Sequence, residues 1–498
     1  MPRRSQTLLG LFPILFLPLA VSQEAHDHGV PEQLGKVSFP VSCSPSARDQ
    51  FNRSVALLHS FAYSAANESF HAVAGLDPKC AMAHWGAAMT YFHQLWDPPL
   101  IPRFIATGQK EIETAQQVGA SSDRERQFIH ALSLIYNDAD KVPYTTRALS
   151  YERAMRALAA EYRSDVEAQV LYALALIANA PPTDKTHAKQ KEALALLEPL
   201  YRSHPDHPGI AHYIIHACDN AELAQDGLPA ARAYSLIAPS APHALHMPSH
   251  IFTRLGMWDD SIASNLAARA AARQQGDTPE ELHAMDYLVY AYLQEGRYQE
   301  ALQIVDQLQE IARLDLSDFK SSYAATAIPI RYAVERGQWS DAAKIVPPTN
   351  APPHVAAIAL WARGLGLART GKPNLASADV DRLHQIEAQL HNAGNDYWAT
   401  QVGILARVVT AWSAQANGNP REAAALLRAC ADEEDSIEKL PVTPGPIIPA
   451  REQLADLLLL QGHADEALQE FRASLQNAPG RLGAKRGMDR ASELAVRK

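Results

Sequence analysis

Very little in these 498 residues points to a strand, a membrane span or a nucleic-acid surface. Alternating apolar and polar runs bounded by hairpin turns are nearly absent, and alanine is too frequent for sheets. After residue 22 no uncharged apolar run is long enough to cross a bilayer. Basic charge is in deficit: 45 Lys and Arg against 55 Asp and Glu leave a formal charge of −10. That argues against nucleic acid as a partner, because phosphate backbones need a basic face. Cysteine is scarce, with four in all. A zinc-protease helix motif and a nucleophile elbow are both missing. Gly366, Gly371 and Lys372 match the start of a phosphate-binding loop, but Pro373 follows where a serine or threonine is needed. No pair of carboxylates stands out as a general acid and base.

The chain does have a targeting segment. Arg3 and Arg4 precede an apolar run from Thr7 to Val21, and Ala20-Val21-Ser22 offers small residues for cleavage after Ser22. Residues 1–22 are expected to be a signal peptide, and the mature protein periplasmic or secreted. The remainder is too long for one core of ordinary size. Its apolar pattern is helical nearly throughout.

Repeats decide the architecture. Near the C-terminus Ala467, Phe471 and Pro479 stand at intervals of four and eight residues, and Ala66, Phe70 and Pro78 repeat them near the N-terminus. Between these ends one turn recurs: a glycine closes a helix, an aromatic often follows at the second position, and an alanine lies in the next helix. Gly296, Tyr298 and Ala301 are one case, and Gly337, Trp339 and Ala342 another. The glycine permits the left-handed backbone that ends a helix. This pattern resembles the tetratricopeptide family over most of residues 46–490.

The segments Leu57–Phe61, Cys80–Gly86, His212–His216 and His246–Phe252 are also similar to a group of exported bacterial tetratricopeptide proteins. That likeness implies the fold and no particular reaction. The expected fold is therefore all-α: a tetratricopeptide-like α-solenoid of stacked antiparallel helix pairs with a concave groove. A linker over 23–45 should precede helix pairs at 46–97. Irregular helical repeats are expected at 98–205, histidine-lined repeats at 206–345, further repeats at 356–439, and a last repeat and tail at 450–498. Proline-rich stretches at 346–355 and 440–449 read as stiff connections. In such a stack Cys43, just before the first helix, neighbours Cys80, which opens the third. The two are expected to form a disulfide, which an oxidising compartment permits.

Histidine placement is the feature that invites chemistry. His212 and His216 are four apart and share one helix face, as do His246 and His250. Corresponding members of the two pairs are 34 residues apart, one repeat length. His246 and His250 lie ten and six residues before their turn glycine, Gly256. In tetratricopeptide proteins that register lines the concave groove. Asp286 and Tyr290 hold the same register before Gly296, and His243 and His283 each lie thirteen before their own glycine. Trp85 and Met89 are expected on the same inner face of their helix.

Three readings follow. In the first, His212, His216, His246 and His250, with His243, His283 and Asp286 around them, hold a transition metal. Imidazole ligands suit zinc, copper or iron better than calcium or magnesium. In the second, the groove binds a peptide or protein partner without metal. In the third, the histidines only pack the superhelix. A metal with an open coordination position would make the first reading an enzyme of unknown substrate. Pro248, between His246 and His250, either kinks their helix or starts a new one.

Overall fold

The turn glycines set the period of the structure. The computed structural model describes residue 1 and residues 32–95, 100–311 and 314–496. Gly256, Gly296, Gly337, Gly371, Gly418 and Gly462 all take φ between 65° and 83°. The residue after each glycine donates its N–H to a carbonyl five positions back. Met257 bonds Phe252 at 2.8 Å, Arg297 bonds Tyr292 at 2.8 Å, and His463 bonds Leu458 at 2.9 Å. This closure satisfies carbonyls that a helix end otherwise leaves open. The alanine that follows, as at Ala301, Ala342, Ala376, Ala423 and Ala467, is fully buried, so the two helices of a pair meet there.

The described residues are helical with no strand among them, and no helix described is long and apolar enough to cross a membrane. Successive helices pair as the repeats require: Thr278–Gln294 with Tyr298–Gln309, Asp396–Ala416 with Pro420–Asp435, Ala450–Leu460 with Ala464–Asn477. Gln33–Lys498 forms one compact unit. The expected signal peptide lies outside the described residues.

The described part of the N-terminal linker, 32–45, and the proline-rich stretch 440–449 are both packed against the helices. At the N-terminal end, Leu34 and Phe39 are buried, and Phe39 sits against Phe51, Trp85 and Phe128 with ring centroids 5.1–5.5 Å away. Cys43 and Cys80 are joined by a disulfide with Cα atoms 4.7 Å apart. Cys218 and Cys430 are free and buried, and burial raises their thiols to about 12 and about 11.

The stretch 440–449 is drawn into the interior, where Val442, Thr443 and Ile447 are buried. Tyr323 donates to Thr443 Oγ1 at 3.0 Å, and Arg331 donates to Thr443 Oγ1 and the Gly445 carbonyl at 3.0 and 3.2 Å. The closing helix Leu482–Val496 returns to the helix Thr278–Gln294, with Leu482 N–H on Gln294 Oε1 at 2.9 Å. Beside that junction the fully buried Arg481 pairs with Glu335 at 2.9 Å and Glu452 at 2.7 Å.

Candidate metal centre

The first helices of three successive helix pairs carry the histidines. Pro208–Ala217 begins with proline in its first turn, where no N–H is missed, and His207 Nδ1 caps it by accepting from Ile210 N–H. Its His212 and His216 project from one face. The next segment is divided: Pro242–His246 ends and Pro248–Arg254 begins around Met247, which keeps helical angles of −52° and −36°. Pro248 thus bends the segment without unwinding it, and His246 and His250 stay on one side. Thr278–Gln294 supplies His283 and, one turn on, Tyr287.

The six imidazoles form two clusters of three. His212, His216 and His243 each offer one ring nitrogen, all within 4.8 Å of one another, and His246, His250 and His283 do the same. His216 is 7% exposed and the other five are 2% or less. This regroups the expected set: the four histidines of the two pairs do not share one centre, and His243 and His283 complete two centres instead. Helix rotation is the reason, since each pair meets the thirteenth-before histidine of the following repeat. The clusters touch directly, His216 on His250 and His243 on His246, with ring centroids 6.0 Å apart in each case.

Surrounding groups fix the proton on the far nitrogen of most rings. His212 Nδ1 donates to the His59 carbonyl at 2.6 Å, which leaves a lone pair on Nε2; that atom is buried with no hydrogen-bond partner among the described residues. His216 Nε2 is likewise buried and without one. His243 Nδ1 faces Glu280 at 3.4 Å, whose carboxylate is also held by Lys320. Burial pushes that carboxyl up, but Lys320 and His243 outweigh it and hold it well below its usual range.

In the second cluster His250 Nδ1 donates to Asp219 at 2.9 Å, and Asp219 is also bound by Arg254 at 2.9 Å and Lys439 at 2.7 Å. Burial alone would raise Asp219; Lys439 and Arg254 keep it ionised. His246 Nδ1 faces Asn265 Oδ1 at 2.7 Å, and the Asn265 amide donates to the Ser261 carbonyl at 2.8 Å. That second bond fixes the amide so that its oxygen faces the ring. His246 Nδ1 is therefore a donor too.

The Nε2 atoms of His246 and His250 face each other at 3.0 Å. With both Nδ1–H groups committed, each Nε2 presents a lone pair. Two neutral imidazoles in that state repel, and burial holds His246 well below the usual histidine range and His250 at about 4. A cation between them removes the conflict. At metal–nitrogen bonds of about 2.05 Å, a 3.0 Å separation corresponds to an angle of about 95° at the metal. The Tyr287 hydroxyl lies 3.4 Å from both nitrogens of His250.

A third cluster, His59, Glu167 and His207, has its hydrogen bonds satisfied. Glu167 accepts from His59 at 2.8 Å and His207 at 3.0 Å, and His59 Nδ1 meets the Tyr213 hydroxyl at 2.9 Å. Gly209 makes room for it, since a Cβ there would stand 2.5 Å from His59 Nδ1. This network braces the His59 carbonyl that orients His212.

Four expected residues lie elsewhere. Asp286 is not near the imidazole nitrogens; its carboxylate is bound by the fully buried Arg331 at 2.7 Å. Tyr290 accepts from Arg481 at 3.2 Å, is 3% exposed, and lines a cavity of about 160 Å³ with Tyr323 and Thr443, away from the imidazoles. Trp85 and Met89 belong to the N-terminal core, 1% and 2% exposed. Trp85 and Met89 are covered because the stack packs other elements over the face expected to be open. Asp219, Glu280, Asn265 and Tyr287 were not evident from sequence. Asp219 follows His216 by three residues and Tyr287 follows His283 by four, spacings that would have signalled the first and last.

Two openings reach the first cluster. A cavity of about 120 Å³ is lined by His216, Asp219, Lys439 and Gln94. A cleft of about 520 Å³ is lined by His243, Glu280, Lys320 and Tyr63. Both adjoin the cluster of His212, His216 and His243.

No protein-family model matches the chain, and no curated protein sequence does. Solved structures match along most of its length. Yeast Tom70 shares 12% identity over 90% of this chain and 88% of that one, with a TM-score of 0.34. A human IFIT1 dimer with m7Gppp-AAAA shares 10% over 84% and 89%, with a TM-score of 0.36. Alignments this loose carry no argument about function or partner. The architecture rests on the molecule itself: glycine-closed helix pairs stacked through the described residues, with Ala–Phe–Pro intervals in both terminal repeats, make the chain a tetratricopeptide-type α-solenoid.

Proposed function

We propose that this protein is an exported α-solenoid scaffold that holds two transition-metal ions per chain, one in each tri-histidine cluster. The observation that carries the reading is the pair of Nε2 lone pairs facing at 3.0 Å between His246 and His250. The unpartnered Nε2 atoms of His212 and His216 support a second ion. Ligand chemistry favours zinc, copper or iron, because every donor is an imidazole and the carboxylates act behind them on the Nδ1 side. Export is supported by the apolar leader expected at 1–22 and by the Cys43–Cys80 disulfide.

The peptide- or protein-binding reading has less to stand on. Five of the six histidines are 2% exposed or less, and 440–449 is bonded to Tyr323 and Arg331.

Elemental analysis of protein isolated from an oxidising compartment tests the proposal. Two equivalents of metal per chain are expected. His250→Ala should lose one of them with the other retained. Folded protein that stays metal-free after incubation with zinc, copper and iron salts would remove the reading.

A further inference from the structure

Resting on that two-ion reading, we infer that the ion held by His212, His216 and His243 keeps an open coordination position toward the 120 Å³ cavity, where it binds a small anion. The two clusters differ in their surroundings. His246, His250 and His283 are each 1% exposed and sit under Tyr287, whose ring centroid is 4.7–5.3 Å from theirs. His216 is the most exposed of the six and itself lines the cavity. Three protein nitrogens around an ion that prefers four or more donors leave a place for water or substrate.

Gln94 supplies an independent sign of a ligand. It is 5% exposed, lines the same cavity, and its Oε1 is buried with no hydrogen-bond partner among the described residues. A buried acceptor left open costs about 1–3 kcal/mol, so native structures rarely keep one. Water or a protonated ligand on the neighbouring ion would donate to it.

Charge defines the ligand class. The three donors are neutral imidazoles, so none of them offsets the ion. The nearby carboxylates are already engaged: Asp219 with Arg254 and Lys439, Glu280 with Lys320, and Glu438, which also lines the cavity, with Lys185 and Arg254. Lys439 lines the cavity wall and has N–H bonds to spare beyond its contact with Asp219. The uncompensated charge therefore selects an anion of a few atoms: hydroxide from bound water, or a small carboxylate or similar oxyanion. Metal-bound hydroxide in this setting is the nucleophile that a hydrolytic or hydration reaction requires.

The test uses the full chain loaded with cobalt(II), whose visible spectrum reports coordination, titrated with azide as the small anion. Wild type should take up two cobalt ions and show a saturable spectral change with azide. His216→Ala and His243→Ala should each lose one ion and the azide response. His283→Ala should lose one ion and keep the response. Gln94→Leu should keep both ions and the azide response, because azide carries no proton to donate to Oε1. Far-ultraviolet spectra confirm that each variant is folded, and the two variants of the open centre guard against failure of either. Two bound ions with no azide response would overturn the open position and leave the two-ion reading intact. A response that survives in His216→Ala and His243→Ala but vanishes in His283→Ala would place the open position at the other cluster, against this inference. Absence of cobalt binding would remove both proposals.

Discussion

A buried imidazole is characterised by what its second nitrogen does. In the cluster of His59, Glu167 and His207 both nitrogens of each histidine have partners, so the group is structural. Burial by itself would raise Glu167, yet His59 and His207 hold it well below the usual carboxylate range. His59→Ala leaves that buried carboxylate with one partner and should cost about 3–5 kcal/mol. A chemical melt reads that loss, while metal content should stay at two, because His212 is oriented by the backbone carbonyl of residue 59. Lost metal with unchanged stability would contradict the assignment. Glu434 gives a separate pH signature. Burial, with Asp435 beside it, raises its carboxyl from 4.5 to about 7, against a hydrogen bond from Ala450 N–H at 2.7 Å. The folded chain thus binds that proton more tightly than the unfolded chain. The stability it gives is complete below about pH 4.5 and lost as pH rises through about 7. Glu434→Gln keeps an acceptor for Ala450 and carries no charge. It should be more stable than wild type by about 1–2 kcal/mol at pH 8 and equal to it near pH 4. Parallel melts at the two pH values check this, and equal behaviour at pH 8 would show that Glu434 is ionised without penalty.

At the scale of the helix pair, the two terminal repeats share a device beyond the Ala–Phe–Pro intervals. Phe70 and Phe471 are fully buried, and each ring lies over a glycine sixteen residues later, Gly86 or Gly487. A Cβ on either glycine would fall 2.2 Å from the ring. Gly86→Ala must therefore displace Phe70 and should cost about 1–3 kcal/mol. Alanine at Gly119, where nothing lies within 4 Å, is no packing control because its φ is 80°. Gly75→Ala is the suitable control, with open space and ordinary φ, and should be neutral or better. Denaturant melts compare the two, and equal stability would discount the ring-on-glycine contact. The helix pairs were legible in the sequence because a turn glycine and a buried alanine leave local marks. The two histidine pairs were legible because 34-residue spacing is a repeat property. Their regrouping into threes was not, since it depends on how far each helix is rotated and on the bend at Met247–Pro248. Asn265 and Glu280 escaped notice for a related reason: a polar residue on a helix looks solvent-facing until the neighbouring repeat covers it. The inward path of 440–449 was hidden similarly, because prolines mark a break in helix without saying where the chain goes.

Across the whole unit, the proposed metal sites join elements that the solenoid otherwise links only by neighbour contacts. Ligands come from Pro208–Ala217, from the bent pair Pro242–His246 and Pro248–Arg254, and from Thr278–Gln294. In stacked repeats, stability is roughly a sum of repeat and interface contributions. Ions held between repeats therefore act on the interfaces. An ion that binds only the folded chain stabilises it by about 2.7 kcal/mol when its free concentration is a hundred times the dissociation constant. Chelation should lower the melting temperature of the loaded protein, and re-addition of metal should restore it. The effect should also be local. Amide exchange after chelation should accelerate most between residues 208 and 294. It should change least in the terminal repeat Ala450–Leu460 with Ala464–Asn477, which no proposed ion touches. The junction where Arg481 pairs with Glu335 and Glu452 should hold in both states, since no proposed ion touches it. A uniform rise in exchange across the chain would mean that the ions act through global stability alone. No change on chelation would mean that the six imidazoles hold the three segments together without metal, and would return the histidine clusters to a packing role.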